Sequence, residues 1–430
     1  MKKGKTEDHA ETRSSRRESN PPTSALSAPP REKNSGWETK NLADLCDVVG
    51  GGTPPKDKPA FYSGDIPWAT VRDMRQDVIT ETEFRITKDA VKSSATNIIP
   101  SGNVVIATRV GLGKVCLLGQ DTAINQDLRG IVPRSEKTLA VRYLYWWLKS
   151  IADVIVAEGT GATVQGVKLP FVKSLPVPVP QLAEQQRIVG LLDEAFEGIA
   201  TAKANAEKNL QNARALFESH LQSVFTQRGP GWVEKKLEDI ADADCSLSYG
   251  IVQPGEEFDE GMPIVRPTDL TTKVIRLGGL KRIDPKLAGG YKRTALQGGE
   301  LLLCVRGSTG VVSIASPELV GANVTRGIVP IRFNRSLLLP EFGFYLISGG
   351  PVQSQIREKT YGTALMQINI RDLRLISLSI PPLKEQKTIA ANLESLHEET
   401  QNLARLYEQK LAALAELKKS LLHQAFSGEL

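Results

Sequence analysis

The chain has 430 residues, of which 40% are apolar and 24% charged, a balance that excludes a disordered or fibrous class and suits two folded domains rather than one. The formal charge is +5, but residues 1–36 carry eight Lys/Arg against five Asp/Glu, so the remainder is nearly neutral and argues neither for nor against a nucleic-acid partner. The four cysteines, Cys46, Cys116, Cys245 and Cys304, are scattered without a CxxC pair. That argues against a disulfide framework and a structural zinc site, and it suits a reducing compartment.

Residues 1–36 are rich in Pro, Ser and charge and lack the apolar core of a signal peptide. They are expected to form a disordered tail, with a basic arm that touches DNA as the functional alternative. Nowhere do about 18 apolar residues run together, so no membrane helix and a cytoplasmic location are expected.

From residue 37 onward the chain repeats itself. WETKNLADL (37–45) resembles WVEKKLEDI (232–240), and IPWATVRDM (66–74) resembles MPIVRPTDL (262–270). IPSGNVVIATRVGLG (99–113) resembles LQGGELLLCVRGSTG (296–310), and RGIVP recurs identically at 129 and 326. PQLAEQQRIV (180–189) resembles PPLKEQKTIA (381–390), and LFESHLQSVF (216–225) resembles LKKSLLHQAF (417–426). The six pairs keep their order with an offset rising from 195 to 201, as two copies of one unit would if short surface loops had gained residues.

Each copy reads as a mixed globular part followed by a long helix. NVVIATRVGLGKVCLL and ELLLCVRGSTGVVSIA are each an apolar run, a Gly-bearing turn with an arginine, and a second apolar run, the pattern of a β-hairpin. Residues 141–159 and 340–359 each read as one amphipathic helix. Residues 184–227 contain no proline, and both 184–227 and 385–426 carry apolar residues at three-four spacing, among them Ala206, Ala213 and Leu216 in the first and Leu403, Leu406 and Leu417 in the second. Such a stripe seeks a partner helix, and the prolines just before each segment fix its start. The linker QRGPGW (227–232) is too short to bring the chain back along a helix about 60 Å long. The second helix is therefore expected to run back antiparallel to the first, with the two globular heads at opposite ends of a two-helix spacer.

The expected fold is thus α+β: two similar recognition domains separated by two long antiparallel helices that form a coiled-coil spacer, with a pseudo-two-fold internal repeat. The expected boundaries are 1–36 for the tail, 37–180 for the first head, 181–228 for the first spacer helix, 229–381 for the second head and 382–430 for the second spacer helix. A ruler of this kind with two diverged heads suits an asymmetric, bipartite DNA target, because equivalent groove faces recur about every 34 Å.

The tandem PxLxEQ helices, with GGTPPKDKPAFYSGDIPWATVRDM (51–74), SYGIVQPGEEFDEGMPIVRPTDL (248–270) and GTGATVQGV (159–167), resemble the specificity subunit of type I restriction-modification systems over residues 37–430. That resemblance implies a non-catalytic reader of double-stranded DNA, each head binding one half-site while the helices dock two methyltransferase (modification) subunits and the restriction/translocase subunits. It implies no cofactor in this chain, with S-adenosylmethionine, ATP and Mg belonging to the partners. The sequence agrees in lacking an [ND]-P-P-[YF] methyltransferase motif, a GxxxxGK[ST] phosphate loop and an HExxH zinc motif. GLGK (111–114) has Thr108 where the first glycine of a phosphate loop belongs, so a hairpin turn is expected there.

The residue types that contact phosphate and base edges single out Lys56, Lys58, Arg72, Arg109 and Lys114 in the first head, and Gln253, Arg266, Lys273 and Arg306 in the second. Arg109 and Arg306 recur at equivalent positions. Thr163, Gln165, Thr363 and Gln367 are expected to orient the spacer helices, and Trp68 to lie in the core. Gln185, Arg187, Glu194 and Gln386 are the expected partner-docking residues, with helix initiation expected as well at Glu184, Gln185, Glu385 and Gln386. The four histidines do not cluster, which argues against histidine catalysis. The competing class is a coiled-coil scaffold presenting two protein-binding heads, and a self-contained nuclease is disfavoured by the missing motifs.

Overall fold

The computed structural model describes residues 36–161, 165–245 and 247–430. The expected tail, Gly36 apart, and Thr163 lie outside the described residues. The chain divides into two compact units, Met1–Gly198 with Glu416–Leu430, and Ile199–Ala415. Both divisions fall inside long helices rather than at the PxLxEQ junctions.

The first unit is closed by an antiparallel pair, Glu38–Asn41 with Pro176–Val179. Its main sheet runs in the order Cys46–Gly50, Leu128–Pro133, Val104–Ala107, Val115–Leu118, Val78–Ile79. The expected hairpin forms from VVIA and VCLL, paired Val104↔Leu117 to Ile106↔Val115. All eight residues are buried, which accounts for continuous apolar runs in place of alternation. A second sheet orders Phe84–Ile86, Ile66–Ala69, Thr122–Ile124 and Asn97–Ile99, and Trp68 sits in the core between its strands at 6% exposure.

The second unit repeats this plan with losses. Val233–Lys236 pairs with Ser377–Ile380, and the main sheet keeps four strands, Val274–Ile275, Val312–Ala315, Leu301–Cys304 and Ile328–Ile331. The strand equivalent to Cys46–Gly50 is reduced to a single bridge, Ala241↔Phe333.

Ladder register corrects one part of the sequence reading. Val104 lies opposite Ile131, whereas its counterpart Leu301 lies opposite Ile331. The strand pairings Trp68↔Ala123 and Ile264↔Asn323 tell the same story. The structural offset in this strand is therefore 200, and the identical RGIVP segments, offset by 197, are out of register by three residues. Arg129 is a strand residue opposite Ile106, while Arg326 sits in the turn before the strand, its N–H bonded to the Ile251 carbonyl.

Each expected head helix is broken in two. Val141–Ser150 gives way to Ala152–Ala157 at Ile151, and Pro340–Ser348 to Gly350–Lys359 at Gly349, whose extended backbone precedes Gly350 and Pro351.

The long helices are Leu182–Thr226 and Leu383–Ser427, 45 residues each. In the second unit they run antiparallel, with Arg214 on Glu408 at 2.8 Å and the Phe217 and His397 rings 4.6 Å apart. In the first unit the same sense holds, with Lys418 5.0 Å from the Phe196 ring and Arg187 donating to the Leu430 carbonyl at 2.7 Å. Ala206 and Ala213 are buried in the second unit. Leu216, Leu403 and Leu406 are instead 53%, 38% and 57% exposed, and in the first unit Leu417 is 47% exposed. The three-four stripe expected to be shared between the helices is thus divided: the two alanines are buried and these leucines are exposed. The helix ends join the heads' cores, Leu221 and Phe225 in the second unit and Phe426 against Tyr143 in the first.

Candidate nucleic-acid interface

Backbone hydrogen bonds gather four segments of the first head at one edge. The hairpin turn, residues 108–114, is held from two sides. Thr108 and Arg109 both donate their N–H groups to the Asp127 carbonyl, and Val110 donates to the Gln165 carbonyl at 3.3 Å. Arg109 also bridges to Gly166. The Gly51–Gly52 segment joins through Gly52 N–H to the Ile124 carbonyl at 3.0 Å. A side chain at Gly51 would run into the Ile124 and Asn125 carbonyls, so only glycine permits that approach. Val71, next to Arg72, packs on Gly111 at the hairpin tip.

The second head builds the same edge from equivalent bonds. Val305 donates to the Gly327 carbonyl, Gly307 to the Met366 carbonyl and Ile251 to the Val324 carbonyl, each at 2.8 Å. Arg306 bridges to Gln367 as Arg109 does to Gly166, and Pro267 packs on Gly327 beside Arg306. Tyr249 ties the first of these segments to the last through its hydroxyl, 3.2 Å from the Ile368 carbonyl. Sequence-distant cationic and polar residues are thereby brought onto loops held by a rigid sheet, the usual placement of binding residues.

The two edges differ in charge. Arg109 is half exposed and lies 3.7 Å from Asp127, which Asn125 holds in turn. Arg129 stands behind them, its pKa lowered by burial and by the neighbouring Arg109 guanidinium. In the second head Gly327 occupies the place of Asp127. Arg306 there has no acidic partner among the described residues, and its buried Nε has no hydrogen-bond partner among them.

The remaining sequence-based candidates divide. Lys56, Lys58, Arg72, Lys114 and Gln253 are exposed; Lys58 lies over the Phe61 ring and Arg72 lies 3.5 Å from Glu83. Arg266 is turned onto Asp269 at 2.9 Å. Lys273 is not at the edge. Its ammonium bonds the Tyr345 hydroxyl at 3.0 Å and the Glu394 carboxylate, and stacks over the Phe344 and Tyr345 rings. It ties the second head to the second long helix, which corrects its expected role as a DNA contact. Two further arginines, at the head of the RGIVP recurrence, lie near these edges: Arg129 beside Arg109, and Arg326 bonded through its N–H to the Ile251 carbonyl.

The Gln of PxLxEQ sits at a helix start, as expected, but it is not exposed for docking. Gln185 is wholly buried. It accepts the Ala140 N–H at 2.9 Å and donates to the Thr138 and Pro180 carbonyls at 2.8 and 2.9 Å. Gln386 repeats all three bonds with Leu339, Leu337 and Pro381. Each amide satisfies backbone groups at the start of a head helix, so neither side chain is available to dock a partner. Arg187, paired with Glu184 at 2.7 Å, and exposed Glu194 keep their outward positions. Gln165 and Gln367 lock the hairpin tip through their backbones rather than orienting the long helices, and Thr363 is exposed in the same turn as Gln367.

Among the described residues no group of three or more His, Cys, Asp or Glu could hold a metal ion, and no helix is long and apolar enough to cross a membrane.

Comparison with known proteins agrees with this repeat. The chain is 24% identical over 311 residues to the EcoBI specificity subunit of Escherichia coli, covering 67% of this chain and 65% of that one. It is 23% identical over 425 residues to the MjaIX specificity subunit of Methanocaldococcus jannaschii, covering 92% and 93%. A chain from a structure described as the basis of complex assembly and conformational transition of the type I R-M system shares the fold with TM-score 0.73 at 19% identity, covering 93% of this chain and all of that one. The HsdS subunit from Thermoanaerobacter tengcongensis shares it at TM-score 0.60 and 18% identity, covering 92% and 98%. The family described as the type I restriction modification DNA specificity domain matches twice, at residues 34–211 and 230–410, and the chain therefore belongs to that family.

Proposed function

We propose that the chain is the DNA-reading subunit of a type I restriction-modification complex, each head contacting one half of an asymmetric, bipartite duplex site. The observation that carries this reading is the repeated edge: in both heads the same backbone bonds gather loops from four parts of the sequence around an equivalent arginine, Arg109 or Arg306. Arg109, Lys114, Arg72, Lys56 and Lys58 supply one contact set. Arg306, Arg266 and Gln253 supply the other, with Arg129 and Arg326 added to the two sets. Arginine is suited to bidentate contact with guanine in the major groove, and lysine to phosphate.

The chain carries no chemistry in this reading and acts in the cytoplasm. Methyltransferase and restriction subunits dock on the outer faces of the long helices, where Arg187, Glu194 and the exposed leucines Leu191, Leu216, Leu403 and Leu406 stand. Exposed leucines on a polar helix surface suit a protein partner. A gel-shift titration of the purified chain with its modification subunit tests the reading. Retention of one duplex at near-physiological salt over scrambled competitor supports it, and equal retention of every duplex, or of none, would leave a scaffold as the better account.

A further inference from the structure

We infer that each head carries an apolar wedge at its reading tip, Val110 in the first and Leu365 with Met366 in the second, which inserts at a base step of that head's half-site. The inference rests on the DNA reading above and adds a mode of contact to it.

In the first head Val110 is 51% exposed and holds φ at 51°. A β-branched residue is strained in that left-handed region, and such strain persists only where the surroundings impose it. They do so here: Arg109 bridges to Gly166 on one side, Val110 donates to the Gln165 carbonyl, and Gly111 and Gly113 complete the turn at positive φ. The fold thus holds a stiff apolar side chain out into solvent beside Arg109 and Lys114.

The second head reaches the same result from the neighbouring turn. The counterpart of Val110 is Gly307, at φ 88°, which offers no side chain. The counterpart of the polar Gln165 is Met366. Leu365 and Met366 are 45% and 42% exposed, and Tyr361 at the base of the same turn is 46% exposed. The Met366 carbonyl accepts from Gly307 N–H at 2.8 Å and from the Thr309 hydroxyl at 3.3 Å, which locks this turn onto the one that carries Arg306. Among the described residues each head thus presents an apolar tip, from the hairpin turn in the first and from the neighbouring turn in the second.

Size and surroundings fit a base step better than a protein. Three half-exposed side chains present roughly 300 Å² at most, well under the ~800 Å² per partner of a stable protein interface. Small apolar side chains set among cations match the wedges that partly unstack a step and bend the duplex, with phosphate contacts alongside holding the register.

The test uses the complex with its modification subunit, bound to a duplex carrying its methylated motif, with 2-aminopurine placed in turn at each adenine-permissive position. Variants are Val110→Gly, which relieves the strain and copies Gly307, and the double variant Leu365→Ser/Met366→Ser at exposed positions. Each wild-type half-site should show at least one position whose fluorescence rises several-fold on binding. Val110→Gly should abolish that rise in one half-site only, and the double variant in the other only, with binding retained in a gel shift. Fluorescence patterns identical in wild type and both variants would overturn the wedge while leaving the DNA reading intact. Failure of the wild-type complex to bind its own motif would overturn the DNA reading itself.

Discussion

The side-chain oxygen of Gln185 accepts the backbone N–H of Ala140 at 2.9 Å, and Gln386 makes the same bond to Leu339 at 2.9 Å. These two bonds place the start of a head helix against the start of a long helix in each unit. Replacing either glutamine by leucine keeps the volume but strands one N–H and two carbonyls in a buried setting. Gln185→Leu and Gln386→Leu should each destabilise the full chain by roughly 2–4 kcal/mol, read as a lower denaturation midpoint in urea. A change within 0.5 kcal/mol would mean that water replaces the amide and that the cap is dispensable.

Lys273 and Glu394 supply a second tie. Burial opposes ionisation of Glu394, but hydrogen bonds from Lys273 and Tyr345 prevail and hold its pKa below the ordinary value of 4.5. Asp77 in the first unit is lowered against burial in the same way, by Lys149, from 3.8. A carboxylate lowered in the folded state contributes stability that is present above its unfolded pKa and is lost as pH falls through the folded one. Thermal stability should therefore fall below about pH 4.5, and Glu394→Gln should flatten that fall for the second unit. In salt titrations of DNA binding, Lys273→Ala should leave the slope unchanged, whereas Lys114→Ala should reduce it by about one.

Arg109 and Arg306 differ in what restrains them. Alanine at either should weaken binding of the cognate duplex by about 1–3 kcal/mol and relax base preference in one half-site only. Asp127→Asn removes the acid beside Arg109 and should relax the first head's preference while leaving the second's unchanged. Competition binding with single-base variants of the duplex reads all three.

Two glycines give opposite expectations. Alanine at Gly51 would meet the Ile124 and Asn125 carbonyls, and the forced backbone shift should cost about 1–3 kcal/mol. Alanine at Gly198, inside the first long helix with open space around it, should stabilise by about 0.5–1 kcal/mol. Urea denaturation of both variants checks the pair.

Much of this architecture was legible because the repeat was legible: the hairpin strands, the long helices and the equivalence of Arg109 with Arg306 follow from apolar runs, proline boundaries and matched spacing. What escaped were effects that depend on pairing across the chain. RGIVP is identical in both copies, yet a ladder register is set by strand partners, and the extra residues before the second copy's strand shift it by three. Helix initiation at Gln185 and Gln386 follows from the proline junctions, but no sequence signal tells a buried cap from an exposed polar residue able to dock. The tie of Lys273 to Glu394 spans 121 residues and leaves no local signal in the sequence. The stripe of leucines misled for a related reason: spacing marks a face but not what covers it, and Leu216, Leu403 and Leu406 stand exposed while Ala206 and Ala213 are buried.

Long-read methylation mapping of a host carrying this chain, before and after residues 37–180 are exchanged for a different head, tests the central claim most directly. One head per half-site predicts a bipartite methylated motif whose exchange alters one half and leaves the other half intact. A motif changed in both halves, or in neither, would contradict it.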